Sequence, residues 1–223
     1  KGKIMYRSVN FDNYNSWTDF SLIRSSKTIS APEPKHIKVE VEGADGELDL
    51  TEYFGDIKYK NRKLSFNFST HVREAEFLNL FSSIQNALHG RNMKIVLEED
   101  PDFYYFGRVT VNEWKSNKNI GEITIECDVE PYKYRTYKSV YTLDLTKNTR
   151  YIFPNLRKQV VPTFTVSAPP QIIFENSTYS IGEEGMTDEQ TYIIPELVFA
   201  AGDNIVNFVG TGTVKVEYQE GGL

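Results

Sequence analysis

Few side chains in this 223-residue sequence have the spacing that catalysis or metal binding requires. The histidines His36, His71 and His89 form no Glu-x-x-His or His-x-His pattern, so a metal triad is not expected. Cys127 is the only cysteine, which excludes an intrachain disulfide and a zinc site built from thiolates. The sequence therefore predicts neither a metal ion nor a cofactor.

Acidic residues are crowded between residues 98 and 102, where calcium is the cation to consider. The segment lacks the Asp-x-Asp-x-Asp-Gly spacing and the final Glu of the twelve-residue calcium loop. Asp and Pro are ordinary residues in turns. We therefore predict a solvated hairpin turn at residues 99–102 rather than a calcium site.

Sequence signatures of enzymes are also missing. There is no Gly-x-Ser-x-Gly elbow, and Gly210-Thr-Gly212 lacks the Lys and the following helix of a phosphate-binding loop. With 31 acidic residues, chance pairing of carboxylates is unavoidable, so no pair can be assigned to glycoside hydrolysis. We predict that the protein has no catalytic residues and is not an enzyme.

The overall charge restricts the range of partners. A net charge of -6 and a pI near 5.2 oppose binding to nucleic acid, because neutralising phosphates requires clustered Lys and Arg. No apolar run approaches the ~20 residues that cross a bilayer. Residues 1–6 lack the apolar stretch of a signal peptide, so we expect synthesis in the cytoplasm; Met5 is either a native initiator preceded by a tag remnant or an internal methionine.

Alternating apolar and polar residues predict several strands, as does the content of 14 Phe and 14 Tyr. The segments 37–41, 64–68 and 123–129 each place their apolar side chains on one face. We expect the first of these to be half-buried, with Ile37, Val39 and Val41 towards the core. Cys127 also falls on a core face, where a thiol behaves as a small hydrophobe rather than a nucleophile.

One segment has helical spacing between its apolar positions, which are Phe77, Phe81, Ile84 and Leu88. This spacing predicts an amphipathic helix that covers one face of a sheet. We expect Ser69 or Thr70 to be its N-cap and Gly90 to end it. His89 lies in the predicted last turn, where its positive form would interact favourably with the helix dipole.

The remaining pattern predicts two domains, residues 1–135 and residues 136–223. A hairpin formed by residues 93–97 and 103–109 completes the first, and the proline-containing segment after residue 130 ends it. In the second, we predict short strands at 163–166, 171–174, 178–181 and 191–194. A closing hairpin joins 205–209 to 214–218 through Gly210–Gly212. This pattern is typical of an antiparallel β-sandwich.

Several aromatic side chains have two interpretations; they are Trp17, Trp114, Tyr132, Tyr134 and Tyr137. Aromatic rings stack on sugars in carbohydrate-binding modules. Trp and Tyr also concentrate in cores and protein interfaces. We favour the second interpretation and keep a carbohydrate-binding module for host cell-surface glycans as the alternative function.

Several short motifs occur in a fixed order along the chain. They are Ile29-Ser-Ala-Pro-Glu33, Gly43-Ala-Asp-Gly46-Glu-Leu-Asp-Leu50-Thr51, Tyr59-Lys-Asn-Arg62 with Leu64-Ser-Phe66, Leu88-His-Gly90, Glu99-Asp-Pro-Asp102-Phe-Tyr-Tyr-Phe-Gly-Arg108-Val109, Thr124-Ile-Glu-Cys127-Asp-Val-Glu-Pro131-Tyr-Lys-Tyr134 and Ala201-Gly-Asp-Asn204. They span nearly the whole chain. With these motifs in this order, the sequence resembles the distal tail (Dit) proteins of siphophages and prophages of Gram-positive bacteria.

The resemblance implies a mainly β protein, with an N-terminal antiparallel β-sandwich-like domain that contains one α-helix and a C-terminal galectin-like β-sandwich. It also implies a structural, baseplate-hub role at the virion tail tip. Domain 1–135 would form a homo-hexameric ring that connects the tail tube protein to the tail-associated hub or lysin, often with receptor-binding proteins around it. Tyr104, Tyr105 and Phe106 are candidate ring contacts, because consecutive aromatics place large rings on both faces of a strand.

Overall fold

A computed structural model of the protein describes residues 7–53, 55–117 and 120–223. Its contacts divide the chain into two compact units, with the division between Lys133 and Tyr134. The predicted boundary after residue 135 lies two residues beyond this division. The expectations about residues 1–6 and Met5 fall outside the described residues.

The first unit is a curved antiparallel sheet with one helix among its described residues. Its elements are β1 (Val9–Phe11), β2 (Tyr14–Asn15), β3 (Ile23–Ile29), β4 (Lys38–Glu40), β5 (Glu47–Asp49), β6 (Arg62–Thr70), α1 (Glu74–Leu88), β7 (Asn92–Leu97), β8 (Asp100–Asn117) and β9 (Ile120–Val129). The strand order along the sheet is β2-β1-β7-β8-β9-β6-β3, and β4 and β5 form a separate two-stranded sheet.

The alternating residues of β6 and β9 build the core of this unit. The two strands pair along their whole length, from Arg62 opposite Val129 to Thr70 opposite Gly121. The sheet folds over on itself, because the ring of Phe11 in β1 meets the ring of Phe66 in β6 edge-to-face at 6.3 Å. Cys127 is buried as predicted, and burial raises the pKa of its thiol.

The turn predicted at residues 99–102 is wrong in its position, because the observed turn is shorter and begins one residue earlier. Leu97 pairs directly with Asp100, so the turn consists of residues 98 and 99, and Asp100 begins β8. The Glu98 carboxylate accepts hydrogen bonds from Ser8, and the Glu99 carboxylate accepts a bond of 2.8 Å from Arg24 in β3. Because both turn residues are hydrogen-bonded to neighbouring segments of the chain, the position of the turn is fixed.

Glu99 also accepts a hydrogen bond from Lys27. Burial of the Glu99 carboxyl opposes its ionisation, but the bonds from Arg24 and Lys27 outweigh burial and lower its pKa to about 2. The carboxylate therefore keeps its charge far into the acid range, and it ties edge strand β3 to the β7–β8 turn.

The ends of helix α1 differ from the prediction at the N-terminus. Ser69 and Thr70 pair with β9 as part of β6, and Arg73 is the N-cap without a side-chain bond, so the predicted N-cap is wrong. Gly90 follows the helix with φ +76°, as expected of a glycine that ends a helix, and its N–H donates to the Val109 carbonyl in β8. His89 Nδ1 accepts a bond of 3.1 Å from the Val111 N–H, which connects the end of the helix to β8. The interaction of a positive His89 with the helix dipole stays a prediction.

Helix α1 packs on the sheet through aromatic rings. Phe77 lies 4.8 Å from Trp114 and Phe81 lies 5.3 Å from Trp114, measured between ring centroids. The Phe77 ring lies so close to β9 that a Cβ on Gly121 would stand 1.8 Å from its Cε2 atom. Position 121 therefore requires glycine, because any side chain there would collide with the Phe77 ring.

We predict that Gly121→Ala lowers the free energy of unfolding by about 1–3 kcal/mol, because the buried Phe77 ring must shift within the core to make room for the new methyl group. Urea unfolding of the purified protein measures this change. Adding Phe77→Leu to the variant should recover part of the loss. Equal stability of Gly121→Ala and the wild type would contradict this packing.

The second unit is a sandwich of two four-stranded antiparallel sheets. Its elements are β11 (Ser139–Leu145), β12 (Asn148–Asn155), β13 (Thr163–Val166), β14 (Gln171–Phe174), β15 (Ser177–Ser180), β16 (Gln190–Ile193), β17 (Gly202–Val209), β18 (Gly212–Tyr218) and β19 (Gly221–Gly222), and β10 (Lys133–Arg135) precedes them at the division. The sheet orders are β11-β18-β13-β16 and β12-β17-β14-β15. The core between the sheets includes Phe153, Phe164 and Phe208.

The predicted closing hairpin is wrong, although both of its strands exist. β17 pairs with β12 and β14, whereas β18 pairs with β11 and β13, so the two strands lie in opposite sheets. The chain crosses between the sheets at Gly210 (φ +150°) and Gly212 (φ +96°). Alternation shows which side chains face the core and does not show which strand is the neighbour.

The mainly β, antiparallel fold with one described helix confirms the predicted fold class. The strands at 163–166 and 171–174 have the predicted bounds. Strands β11 and β12 were not predicted, although Tyr141, Leu143 and Leu145 alternate with polar residues in the usual way. Whether the second unit is galectin-like stays a prediction.

Candidate functional site

One apolar face of the first unit is left uncovered among the described residues. Strands β4 and β5 pair only with each other, and every residue from 35 to 49 is exposed. Val39 lies directly opposite Leu48, and their side chains are 44% and 53% exposed. We call residues 37–50 the hairpin.

The hairpin is held together by its own backbone. At the turn, Gly43 and Gly46 have φ angles of +82° and +80°, which glycine adopts without strain, and Ala44 donates to the Val41 carbonyl at 3.1 Å. At the open end, Leu50 donates to the Ile37 carbonyl at 2.7 Å. The glycines of the Gly43-Ala-Asp-Gly46 motif thus build a turn and not a ligand-binding loop.

The two faces of the hairpin differ in chemistry. Ile37, Val39, Val41 and Leu48 share one face, since side chains alternate along a strand and opposite residues point the same way. The strand predicted at residues 37–41 is confirmed, and its predicted burial is wrong because no described part of the chain covers it. A contiguous exposed apolar face is typical of a protein interaction surface.

Charged side chains surround the apolar face. Glu40, Glu42, Asp45 and Glu47 lie around the turn, and all are exposed. Lys38 forms an ion pair of 2.9 Å with Glu47, which raises the pKa of the Lys38 amine. These groups give the turn a negative charge.

At its open end, the hairpin continues into an extended pair of segments that we call the stem, residues 30–35 and 58–63. Lys35 donates to the Lys58 carbonyl at 2.7 Å, and Lys60 donates to the Glu33 carbonyl at 2.8 Å. A depression of about 580 Å³ lies where hairpin and stem meet, and His36 and Asp49 are among its lining residues. The Thr51 hydroxyl and backbone N–H donate to Asp49 and lower the pKa of its carboxyl.

Arg62, near the end of the stem, is buried in the core. Its guanidinium lies 4.8 Å from the centroid of the Tyr105 ring, and burial lowers its pKa. Tyr105 is only 6% exposed, so its prediction as a ring contact is wrong. Tyr104 and Phe106 point to the other face of β8 and are half-buried, and Lys94 lies 4.9 Å from the Tyr104 ring.

The structure does not gather the other predicted residues into a site. Within residues 7–53, 55–117 and 120–223, no group of three or more His, Cys, Asp and Glu side chains could hold a metal ion. Trp114 packs beneath α1, Tyr132 packs against Tyr59, and Tyr134 is buried. None of the helices in the described parts of the chain has the length and apolar composition needed to cross a membrane.

The Ala201-Gly-Asp-Asn204 motif has a structural role. Gly202 has φ +93°, and the buried Asn204 side chain donates to the carbonyls of Phe153 and Ala200 at 3.2 and 3.0 Å. Its Oδ1 atom accepts from the Ala200 N–H at 2.9 Å. Asn204 therefore fixes the start of β17 to the neighbouring chain, and its side chain is not available to a ligand.

No family model matches this sequence, and no curated protein does. Among solved structures, the fold matches SPP1 Dit (gp 19.1), described as a paradigm of the hub adsorption apparatus in phages that infect Gram-positive bacteria. The TM-score is 0.69 at 13% identity, and the match covers 96% of this chain and 99% of the other. The chain has the fold of SPP1 Dit. The predicted resemblance to the distal tail proteins is thus confirmed at the level of the fold.

If a second copy of the protein covers the apolar face of the hairpin, the double variant Val39→Thr/Leu48→Thr should weaken that association on the order of tenfold or more, because it removes apolar area from the face while Thr keeps the strand propensity. The midpoint of thermal unfolding of the dilute protein should stay unchanged, since both positions are exposed. Sedimentation velocity over a concentration series measures the association. The control is Leu78→Gln on α1, which removes an equally exposed leucine and should associate as the wild type does.

Proposed function

We propose that this protein is a structural component of a bacteriophage tail tip that assembles with copies of itself into a ring. The observation that carries the proposal is the uncovered apolar face of the hairpin, on a chain that has the fold of a phage hub protein over almost its full length. Such a face is stabilised when a second protein surface covers it. A hub made of many copies supplies that surface from the next copy.

A ring needs a contact between two different patches of the same protein, repeated with a rotation that closes. The hairpin forms one such patch, because it is a separate sheet whose apolar side chains are all on one face. The hexameric ring number and the assignment of ring formation to the first unit follow from the resemblance to the distal tail proteins.

The proposed partners follow from the same resemblance. The ring connects the tail tube protein to the tail-associated hub or lysin, and receptor-binding proteins attach around it. The second unit, a two-sheet sandwich, is the proposed galectin-like domain. The protein is made in the host cytoplasm, is located at the virion tail tip, and acts by connecting other proteins rather than by catalysis.

Glycan binding has weaker support. Stacking on sugars requires aromatic faces that are open to solvent. Of the five aromatic side chains considered for it, Trp114 is packed under α1 and Tyr134 is buried, while Tyr132 packs edge-on against Tyr59. Trp17 and Tyr137 are exposed, at 36% and 80%. The packing of the first three supports core roles and leaves Trp17 and Tyr137 as the rings open to solvent.

The native mass of the purified protein tests the proposal. Association between copies must increase with concentration by mass action. We expect a closed hexamer, or a trimer that builds towards it, as the concentration rises. A protein that stays monomeric throughout would contradict self-assembly and would favour glycan binding, which a glycan array can then measure.

A further inference from the structure

In the second unit, the last residues are hydrogen-bonded to the first. The Arg135 N–H donates to the Glu220 carbonyl at 3.1 Å, and the Gln219 side chain donates to the Arg135 carbonyl at 2.6 Å. We call residues 219–222 the strap and residues 134–139 the connecting segment. The strap therefore joins two parts of the unit that are far apart in the sequence.

Glu220 adds a buried carboxylate to this contact. The residue is 6% exposed, and its Oε1 atom lies 3.2 Å from Arg135 Nε and accepts a hydrogen bond from the Ser139 hydroxyl. A buried carboxylate is stable only with such partners, because removing one leaves an uncompensated charge. Both of these partners belong to the connecting segment. The strap and the segment consequently stabilise each other.

Lys158 contacts both segments from a third part of the unit. Its N–H donates to the Gly221 carbonyl at 2.8 Å, and its Nζ atom donates to the Tyr134 hydroxyl at 2.9 Å and lies 4.5 Å from the centroid of that ring. The buried Asn155 side chain donates to the Lys158 carbonyl at 2.8 Å and so holds Lys158 in position. The contact is thus built from several polar bonds that depend on one another.

The strap and the connecting segment lie outside the hydrophobic core of the second unit. Of the residues that the structure describes, none before Tyr141 in this unit and none after Tyr218 belongs to that core. The Tyr218 hydroxyl donates to the Pro154 carbonyl at 2.5 Å and fixes the end of β18, where the strap begins. Parts of a protein that bury few apolar contacts open locally at lower free energy than the whole domain.

We propose that the strap is a fastener, which holds the connecting segment in place and releases it while the two sheets stay folded. Glu220 is the residue that closes it. Release turns the connecting segment into a flexible stretch that spans roughly 20 Å when extended. The second unit thereby has a built-in means of changing the length of the chain that leads into it. This device is independent of the proposed self-assembly.

Limited proteolysis tests the fastener, because Arg135 and Lys138 are exposed in the connecting segment and trypsin cleaves after both. Cleavage follows the population of the open form when opening is fast. In Glu220→Ala we expect cleavage after these two residues to be faster on the order of tenfold or more. Arg135→Gln, which breaks the same ion pair from the other side, should accelerate cleavage after Lys138.

The matched control is Glu217→Ala, which removes a carboxylate that pairs with Lys215 at 3.0 Å, and it should be cleaved like the wild type. Amide hydrogen exchange supplies the second measurement: Glu220→Ala should lose protection in residues 134–139 and 219–222 and keep it in β17. Unchanged cleavage in both strap variants overturns the proposal, and so does a Glu217→Ala variant that is cleaved as fast as they are. Loss of protection in β17 also overturns it, because the strap is then part of the global fold and not a separate fastener.

Discussion

A strand pair with one apolar face must have that face covered, and this constraint organises the protein. In the first unit, the curved sheet covers its own inner face, so that Phe11 and Phe66 meet although three strands lie between them along the sheet. In the second unit, two sheets cover each other around Phe153 and Phe208. The hairpin obeys the same alternation, and the described chain provides no cover for it. The proposed self-assembly would meet this requirement.

Residue patterns predicted the side chains that are buried better than the neighbours they meet. The alternation in 64–68 and 123–129 identified two central strands, and the helical spacing from Phe77 to Leu88 identified α1. The same alternation in 205–209 and 214–218 suggested a hairpin, because a sandwich corner and a hairpin turn both use glycine. Only the pairing of β17 and β18 with different strands separates the two.

The candidate site was predicted in part. The apolar face at residues 37–41 was recognised as a strand face, but its exposure depends on which other elements reach it, and sequence periodicity contains no such information. Tyr105 was mistaken for a contact because consecutive aromatics do not show which ring faces inwards. The family-like motifs are mostly structural, with glycines at the turns and Asn204 bonded to neighbouring carbonyls.

Amide hydrogen exchange of residues 37–50 tests the central claim most directly, because backbone amides exchange slowly only where they are protected. The protein is compared at a dilute, dissociated concentration and at an assembled one, with β17 as the internal reference. The account predicts that the hairpin gains protection on assembly while β17 exchanges equally in both states. Assembly that leaves exchange in the hairpin unchanged would contradict it.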